Sequence, residues 1–419
     1  MIRLTSQDRL EQHSLLMMAA TLAGHAGNYL FHLIAGRGLP TSEYGLLAAL
    51  LALVNMTALP LTALSVSMTR VIARDPANMA ASLSRRWILR TVWAATALLA
   101  TGVLLLRPLQ SWMDLHRTPP VLMTLLIVCL NLFLLLTGSM LQGLQRFSWL
   151  AGRGTLLFTA RALFLIPCLY LGFAAAGWAL FAHLLAMLLA LGFSLWGLRD
   201  LSQTAAKPAP AVPILRPALM SLPALGGFAV LMTADVVLAR RLYDQDLAGT
   251  FAQAAVVGRM ILWLPLPIAA AMLPKVVHPA PHTLRKACGY TLLLVLAALS
   301  VCWVAGDLLL WILFGIRHPD PEQTRLLRHI GLAMAPLGPV HVLIHYELAQ
   351  NRMRHLWPLL FLALGYVLTV LRTAPPPMTL VRILQVCTTA AFLLAGFVFF
   401  RALRHAAGPK AFDTSDPQP

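Results

Sequence analysis

Twelve apolar runs, each long enough to cross a bilayer as a helix, leave this chain few ways to fold. They lie at roughly 15–36, 44–69, 87–107, 120–144, 149–172, 177–198, 217–239, 247–273, 288–314, 326–349, 355–372 and 379–403. A hydrocarbon core about 30 Å thick takes about 20 helical residues at about 1.5 Å each. Backbone N–H and C=O groups find no water there, so only helices or closed barrels span it. The Leu- and Ala-rich runs lack the two-residue alternation of a barrel strand. The expected fold is an all-α integral membrane protein of about 12 transmembrane helices. Composition agrees: 59% of residues are hydrophobic and 11% charged, against about 45–50% and about 25% in soluble domains.

Charge alternates along the connections. Segments on the side of the N-terminus hold twenty Lys and Arg, those on the other side ten, and Arg161 and Arg259 fall inside spans. The positive-inside rule then places both termini in the cytoplasm. The longest polar break, "RDLSQTAAKPAPAVPILRP", has the Ala/Pro content of an extended linker. It divides an N-terminal six-helix lobe (1–198) from a C-terminal one (217–403), with a cytoplasmic linker at 199–216 and a cytoplasmic tail at 404–419. The halves resemble each other. In 40–72 and 244–277 a polar cap, a Gly, a long apolar run, a mid-span Pro and a terminal cation recur in one order. Gly45 aligns with Gly249, Pro60 with Pro265 and Arg70 with Lys275. Six helices per half make this a parallel repeat, related by an axis along the membrane normal.

Several function classes fall away. There is no G-x-x-x-x-G-K-[ST] loop for a nucleotide-driven pump and no H-E-x-x-H for a metalloprotease. The five cysteines sit in or beside apolar runs without C-x-x-C spacing, so neither a disulfide frame nor a zinc site is expected. No secretory cleavage pattern is visible, and the first run is long enough to stay as a span. A glycan polymerase or ligase would need catalytic acids on sizeable outer loops, whereas these are short. No enzyme activity, cofactor, metal or nucleic-acid partner is expected. A secondary transporter fits best.

The in-span polar residues are the candidate site. Asp235, in "LMTADVVLARRL", is a carboxylate within an apolar run, and it should face the bundle interior or a wet cavity. Its candidate partners are Arg259 and Arg161. One reading is a fixed Asp235–Arg259 pair that neutralises two buried charges; the other is a cavity lined by arginines that the acid tunes. His25, Asn28 and His32 recur at spacings of three and four, on one face of span one, and Asn55 adds to them from span two. They form either a water-facing wall or interhelical hydrogen bonds. "HVLIHYE" carries His341, His345 and Glu347; the i,i+4 histidines have metal-like spacing, but Glu347 points elsewhere, so either a polar cavity wall or interhelical hydrogen bonding is expected instead. Pro60, Pro265, Pro267, Pro336 and Pro339 mark expected bends.

Four stretches resemble bacterial oligosaccharide-lipid flippases of the multidrug/oligosaccharidyl-lipid/polysaccharide exporter superfamily: "GRGLPTSEYGLLAALLAL" (36–53), "GSMLQGLQRF" (138–147), "MTADVVLARRLYDQDLAGTFAQAAVVGRMILWLPLPIAAAMLPKV" (232–276) and "LIHYELAQNRMR" (343–354). His345 stands where that family more often has a polar amide. The resemblance implies two six-helix lobes around a central cavity, in the bacterial inner membrane. It implies movement of an undecaprenyl-diphosphate-linked glycan from inner to outer leaflet for surface polysaccharide synthesis. Asp235 and Arg259 match the family's charged pair in helices seven and eight. On this reading Arg259, Arg161, Asp235, His25, Asn28, His32, Asn55 and His345 contact substrate, and Asp235 or Glu347 carries a coupling ion. Besides membrane lipids, other polysaccharide-synthesis proteins are candidate partners. The rival expectation is a cation-coupled drug exporter of the same superfamily, whose cavity should be rich in acids and aromatics. A scaffold within a cell-envelope synthesis complex is a further rival, with the basic segment 70–90 as its contact for partners or anionic lipid, although such charge is usually a topology signal.

Overall fold

The computed structural model describes residues 6–74, 76–113, 115, 117–200, 215–263, 281–350 and 352–406, and the regular elements among them are all helical. The N-terminal lobe comprises α1 (Ser6–Gly38), α2 (Thr41–Arg74), α3 (Pro76–Leu104), the short α4 (Leu106–Trp112), α5 (Thr118–Gly143), α6 (Phe147–Tyr170) and α7 (Ala176–Trp196). The C-terminal lobe comprises α8 (Leu215–Leu242), α9 (Gln245–Gly258), α10 (Met260–Trp263), α11 (Pro281–Val304), α12 (Gly306–Phe314), α13 (Pro321–Met334) and α14 (Leu337–Ala349). A 3-10 turn (Met353–Leu356), α15 (Pro358–Thr373) and α16 (Pro377–Ala406) complete it.

Among the described residues eight helices are long and apolar enough to cross a membrane, or ten if each of two bent pairs is one span. Predicted span one falls within α1, which is not among these spans. Predicted span eight begins in α9, and its second half, with Pro265 and Pro267, lies outside the described residues, as do Lys275, most of the predicted linker (201–214) and most of the tail (407–419). Large apolar side chains cover the outside of the bundle: Trp93, Leu104, Val304, Phe361 and Phe397 are all well exposed. So much apolar surface suits lipid, not water. The chain is a multi-pass membrane protein.

Two spans expected to be single helices are broken. α3 ends at Leu104 and α4 leaves it at 55°. Pro108 lies four residues beyond Leu104, where its ring would clash with that carbonyl and its missing N–H would leave it unbonded. α12 leaves α11 at 81°. There Asp307, in the first turn of α12, accepts a hydrogen bond from the Thr324 hydroxyl of α13. That pairing gives a polar reason for the helix to restart. At Pro336, where a bend is expected, the helix is interrupted between α13 and α14, yet Pro321–Leu348 still forms one span without a turn above 40°, and α2 continues as one helix through Pro60.

Acidic residues in the connections are largely structural. Asp244 caps α9 by accepting from the Asp246 and Leu247 amides at 3.1 and 2.9 Å, and Asp320 caps α13 by accepting from the Glu322 amide at 3.0 Å. Glu43, at the start of α2, accepts the Ala176 amide at 2.8 Å and pairs with Arg117 at 3.5 Å. It thereby satisfies an orphan N–H of α7 and ties the starts of α2, α5 and α7 together.

The lobes meet mainly where α2 packs on α8 and α9, and where α1 touches α12. At one end of this seam Gly45 and Gly249, the glycines aligned by the repeat, face each other. A Cβ on Gly45 would stand 2.7 Å from the Gly249 Cα, so only glycine allows the approach. Beside them Tyr44 and Phe314 meet edge to face at 5.0 Å, and Arg37 donates to the Ile312 carbonyl at 2.7 Å. At the far end of α2, Arg70 donates to the Leu348 carbonyl at 2.9 Å. Contacts between lobes thus stand at both ends of the seam, with a cavity between them.

Candidate functional site

That cavity holds about 210 Å³ and is lined from both lobes. α1 contributes His25, Asn28, Tyr29 and His32, whose three- and four-residue spacings set them along one helix face. Asn55 comes from α2, Asn131 from α5, Phe158 and Arg161 from α6, His183 from α7, Thr233 from α8, and Arg259 from the break between α9 and α10. A span rarely keeps this many polar groups unless they face each other or a cavity.

Arg161 is 4% exposed. Its guanidinium donates to the Asn28 amide oxygen and lies over the rings of Phe31 and Phe158, at 4.4 and 5.2 Å from their centres. Among the described residues no carboxylate pairs with it. Its Nε also lacks a hydrogen-bond partner there, as do the Tyr29 hydroxyl and His183 Nδ1. Cation–π contact and one amide compensate a buried charge only in part. His32 is fixed by its Nδ1 against the Tyr44 hydroxyl at 3.0 Å, on the wall that borders the lobe seam.

Asp235 is fully buried in α8, and Arg259 closes onto its Oδ1 in an ion pair. The α9 helix ends at Gly258, and Arg259 occupies the turn before α10. Gly258 permits this break to sit against α13, because a Cβ there would lie 2.8 Å from the Ile330 side chain. Asp235 Oδ2 and Arg259 Nε have no hydrogen-bond partner among the described residues. The pair is therefore well matched at one contact and leaves capacity at two atoms.

The geometry gathers Arg161, Arg259, His25, Asn28, His32 and Asn55 around one space, with Asp235 immediately behind Arg259. His345 and Glu347 lie elsewhere. His345 stacks edge to face on His341 and bonds its carbonyl at 3.0 Å, while His341 lies flat on Phe228. Glu347 is buried at the end of α14, 3.4 Å from His355. Tyr29, Asn131 and His183 were not singled out in the sequence. Each is a polar group inside an apolar run, and Tyr29 follows His25 by one helical turn. That signal was available. Among the described residues no group of His, Cys, Asp and Glu is arranged to hold a metal.

Comparison with solved structures decides the architecture. A structure described as MATE in the straight conformation superposes with a TM-score of 0.66 at 14% identity, covering 95% of this chain and 97% of that one. The chain has the fold of the MATE transporters. An inward-facing multidrug resistance MATE family transporter of the MOP superfamily superposes with a TM-score of 0.64 at 14% identity, over 93% of this chain and 99% of that chain. The MATE multidrug transporter DinF-BH gives 0.67 at 13% identity, over 94% and 95%. No protein-family model matches the sequence, and no curated protein does. Within this fold, polar side chains of this chain converge between its two lobes.

Proposed function

We propose that this protein is an alternating-access transporter that moves a lipid-diphosphate-linked oligosaccharide across the bacterial inner membrane for surface polysaccharide synthesis, its headgroup held in the central cavity. The observation that carries this reading is Arg161: a buried guanidinium on the cavity wall, paired with an amide and two aromatic rings instead of an acid. A fixed cation without a counter-charge is costly unless an anion arrives to complete it. A guanidinium grips phosphate through paired hydrogen bonds. Arg259, whose charge Asp235 balances but whose Nε has no partner among the described residues, is the second grip. The amides and imidazoles of Asn28, Asn55, Asn131, His25 and His183 suit sugar hydroxyls. The lipid tail stays in the bilayer while the lobes rock, opening the seam first at the Arg70 end and then at the Gly45–Gly249 end. The charge bias of the connections supports cytoplasmic termini.

The fold comparisons favour a second reading, a cation-coupled multidrug exporter, since the neighbours bear that name. The cavity chemistry separates the two. An organic cation would meet Arg161 and Arg259, and no unpaired carboxylate among the described lining residues. Binding to purified protein tests this. A fluorescent prenyl-diphosphate sugar should bind and be displaced by unlabelled diphosphate lipid, whereas a cationic dye should not compete. Competition by the dye at comparable concentration would favour the exporter.

A further inference from the structure

A second pocket lies between α8 and the turn that precedes α15, away from the central cavity and at the end of the molecule where the 199–216 connection joins α8. It is lined by Arg216, Met220 and Ser221 from α8 and by Arg352, Met353, Arg354 and His355 from the turn. The sequence explains why the cations collect there. In a 3-10 turn residues three apart share a face. Met353 and Leu356 point inward and are buried, so Arg352, Arg354 and His355 point outward. The turn is pinned: the Trp357 indole donates to the Met220 carbonyl at 2.8 Å, and His355 sits against the buried Glu347 at 3.4 Å. Among the described residues, no carboxylate forms an ion pair with Arg216, Arg352 or Arg354. α15 also starts here, with Pro358 at its first position, so the positive end of its dipole adds to the field.

The surface next to this pocket is apolar. Leu215, Leu219 and Leu222 form one exposed face of α8, and Phe361, Leu364 and Leu368 form another on α15. A half-exposed Trp357 marks the boundary, as indoles do where hydrocarbon meets headgroups. Three arginines at that depth, with an acyl-chain track beside them, match one kind of ligand. We infer that the Arg216–Arg352–Arg354 pocket binds the phosphate headgroup of an anionic membrane lipid, whose chains lie along α8 and α15. The site stands independently of what the central cavity carries. It would fasten the start of α8 and the turn before α15 to one leaflet.

The test uses the full-length protein in mild detergent, with thermal unfolding followed as phosphatidylglycerol, phosphatidylcholine or soluble glycerol 3-phosphate is added. Bound lipid is counted in parallel by native mass spectrometry, which does not depend on the variants' stability. Phosphatidylglycerol alone should stabilise the protein. R352Q/R354Q should weaken its apparent affinity by about tenfold, the loss expected for charge-assisted contacts to a phosphate. R372Q/R382Q, which removes as much charge at the other end of the molecule, should leave it unchanged. Three results would each overturn the proposal: equal binding by R352Q/R354Q, equal loss in R372Q/R382Q, or equal stabilisation by glycerol 3-phosphate.

Discussion

Arg161 and Arg259 are both guanidiniums inside spans, yet their surroundings assign them different work. Arg161 has an amide and two ring faces; Arg259 has a carboxylate. Replacing Arg161 by Gln removes a charge that nothing else neutralises, so the fold should tolerate it while headgroup binding weakens by about tenfold or more. Arg161→Lys should recover only part, because an ammonium neither spans two phosphate oxygens nor stacks on Phe31 and Phe158 as a planar group does. Titration with the fluorescent diphosphate lipid reads both. Breaking the Asp235–Arg259 pair is different. Asp235→Asn or Arg259→Gln alone leaves a buried charge without its partner and should cost about 3–5 kcal/mol. The double variant should regain much of that stability, and thermal unfolding of all four proteins gives the coupling directly. Stability regained without transport would separate the pair's structural role from its role at the cavity. The sequence showed both arginines and the acid because a charge inside an apolar run is conspicuous. It did not show which arginine the acid would choose, since that depends on the break after Gly258 that turns Arg259 toward α8.

At the scale of elements, α2 packs extensively on α8 and α9 along the lobe seam, and specific contacts stand at its two ends. Gly45 and Gly249 touch at one end, and Arg70 reaches Leu348 at the other. Gly45→Val cannot be accommodated against the Gly249 backbone, so the variant should rest with that end open. A membrane-impermeant maleimide should then label a cysteine at Asn55 faster from that side than in the parent carrying the same cysteine. Arg70→Ala removes one charge-assisted hydrogen bond, worth about 1.5–3 kcal/mol. It should shift labelling of the same cysteine toward the opposite side. Unchanged labelling in both would show that these contacts do not gate the cavity. The helices themselves were legible, because uninterrupted apolar runs in a bilayer permit little else. The breaks were less so. Pro336 interrupts the helix between α13 and α14 without a turn above 40°, α2 runs through Pro60, and the 81° turn between α11 and α12 accompanies an Asp307–Thr324 contact that no local pattern announces. The alignment of Gly45 with Gly249 was visible as a repeat. That the two would touch follows only once the lobes are packed.

For the whole molecule, the fold is that of MATE transporters, and the proposed anionic cargo rests on the arginines that line the cavity. Fold and cargo are separable: one scaffold hosts different cargoes according to the side chains between its lobes. Of the residues that line the cavity, His25, Asn28, His32, Asn55, Arg161 and Arg259 were legible in the sequence as polar groups within apolar runs, whereas His345, suggested by its spacing from His341, and Glu347, an acid at a span end, lie in other parts of the C-terminal lobe. Spacing reports a shared face but not what that face meets. Movement of a net anion should also respond to membrane potential, which supplies about 2.3 kcal/mol per charge for each 100 mV. The most direct test is leaflet flipping in proteoliposomes. A fluorescent prenyl-diphosphate sugar is placed in one leaflet, and its arrival in the other is followed with an external quencher, with and without an imposed potential and with Arg161→Gln alongside. The account predicts protein-dependent flipping that the potential accelerates and the variant abolishes. Absence of flipping, in vesicles that instead move a cationic dye down an ion gradient, would contradict it.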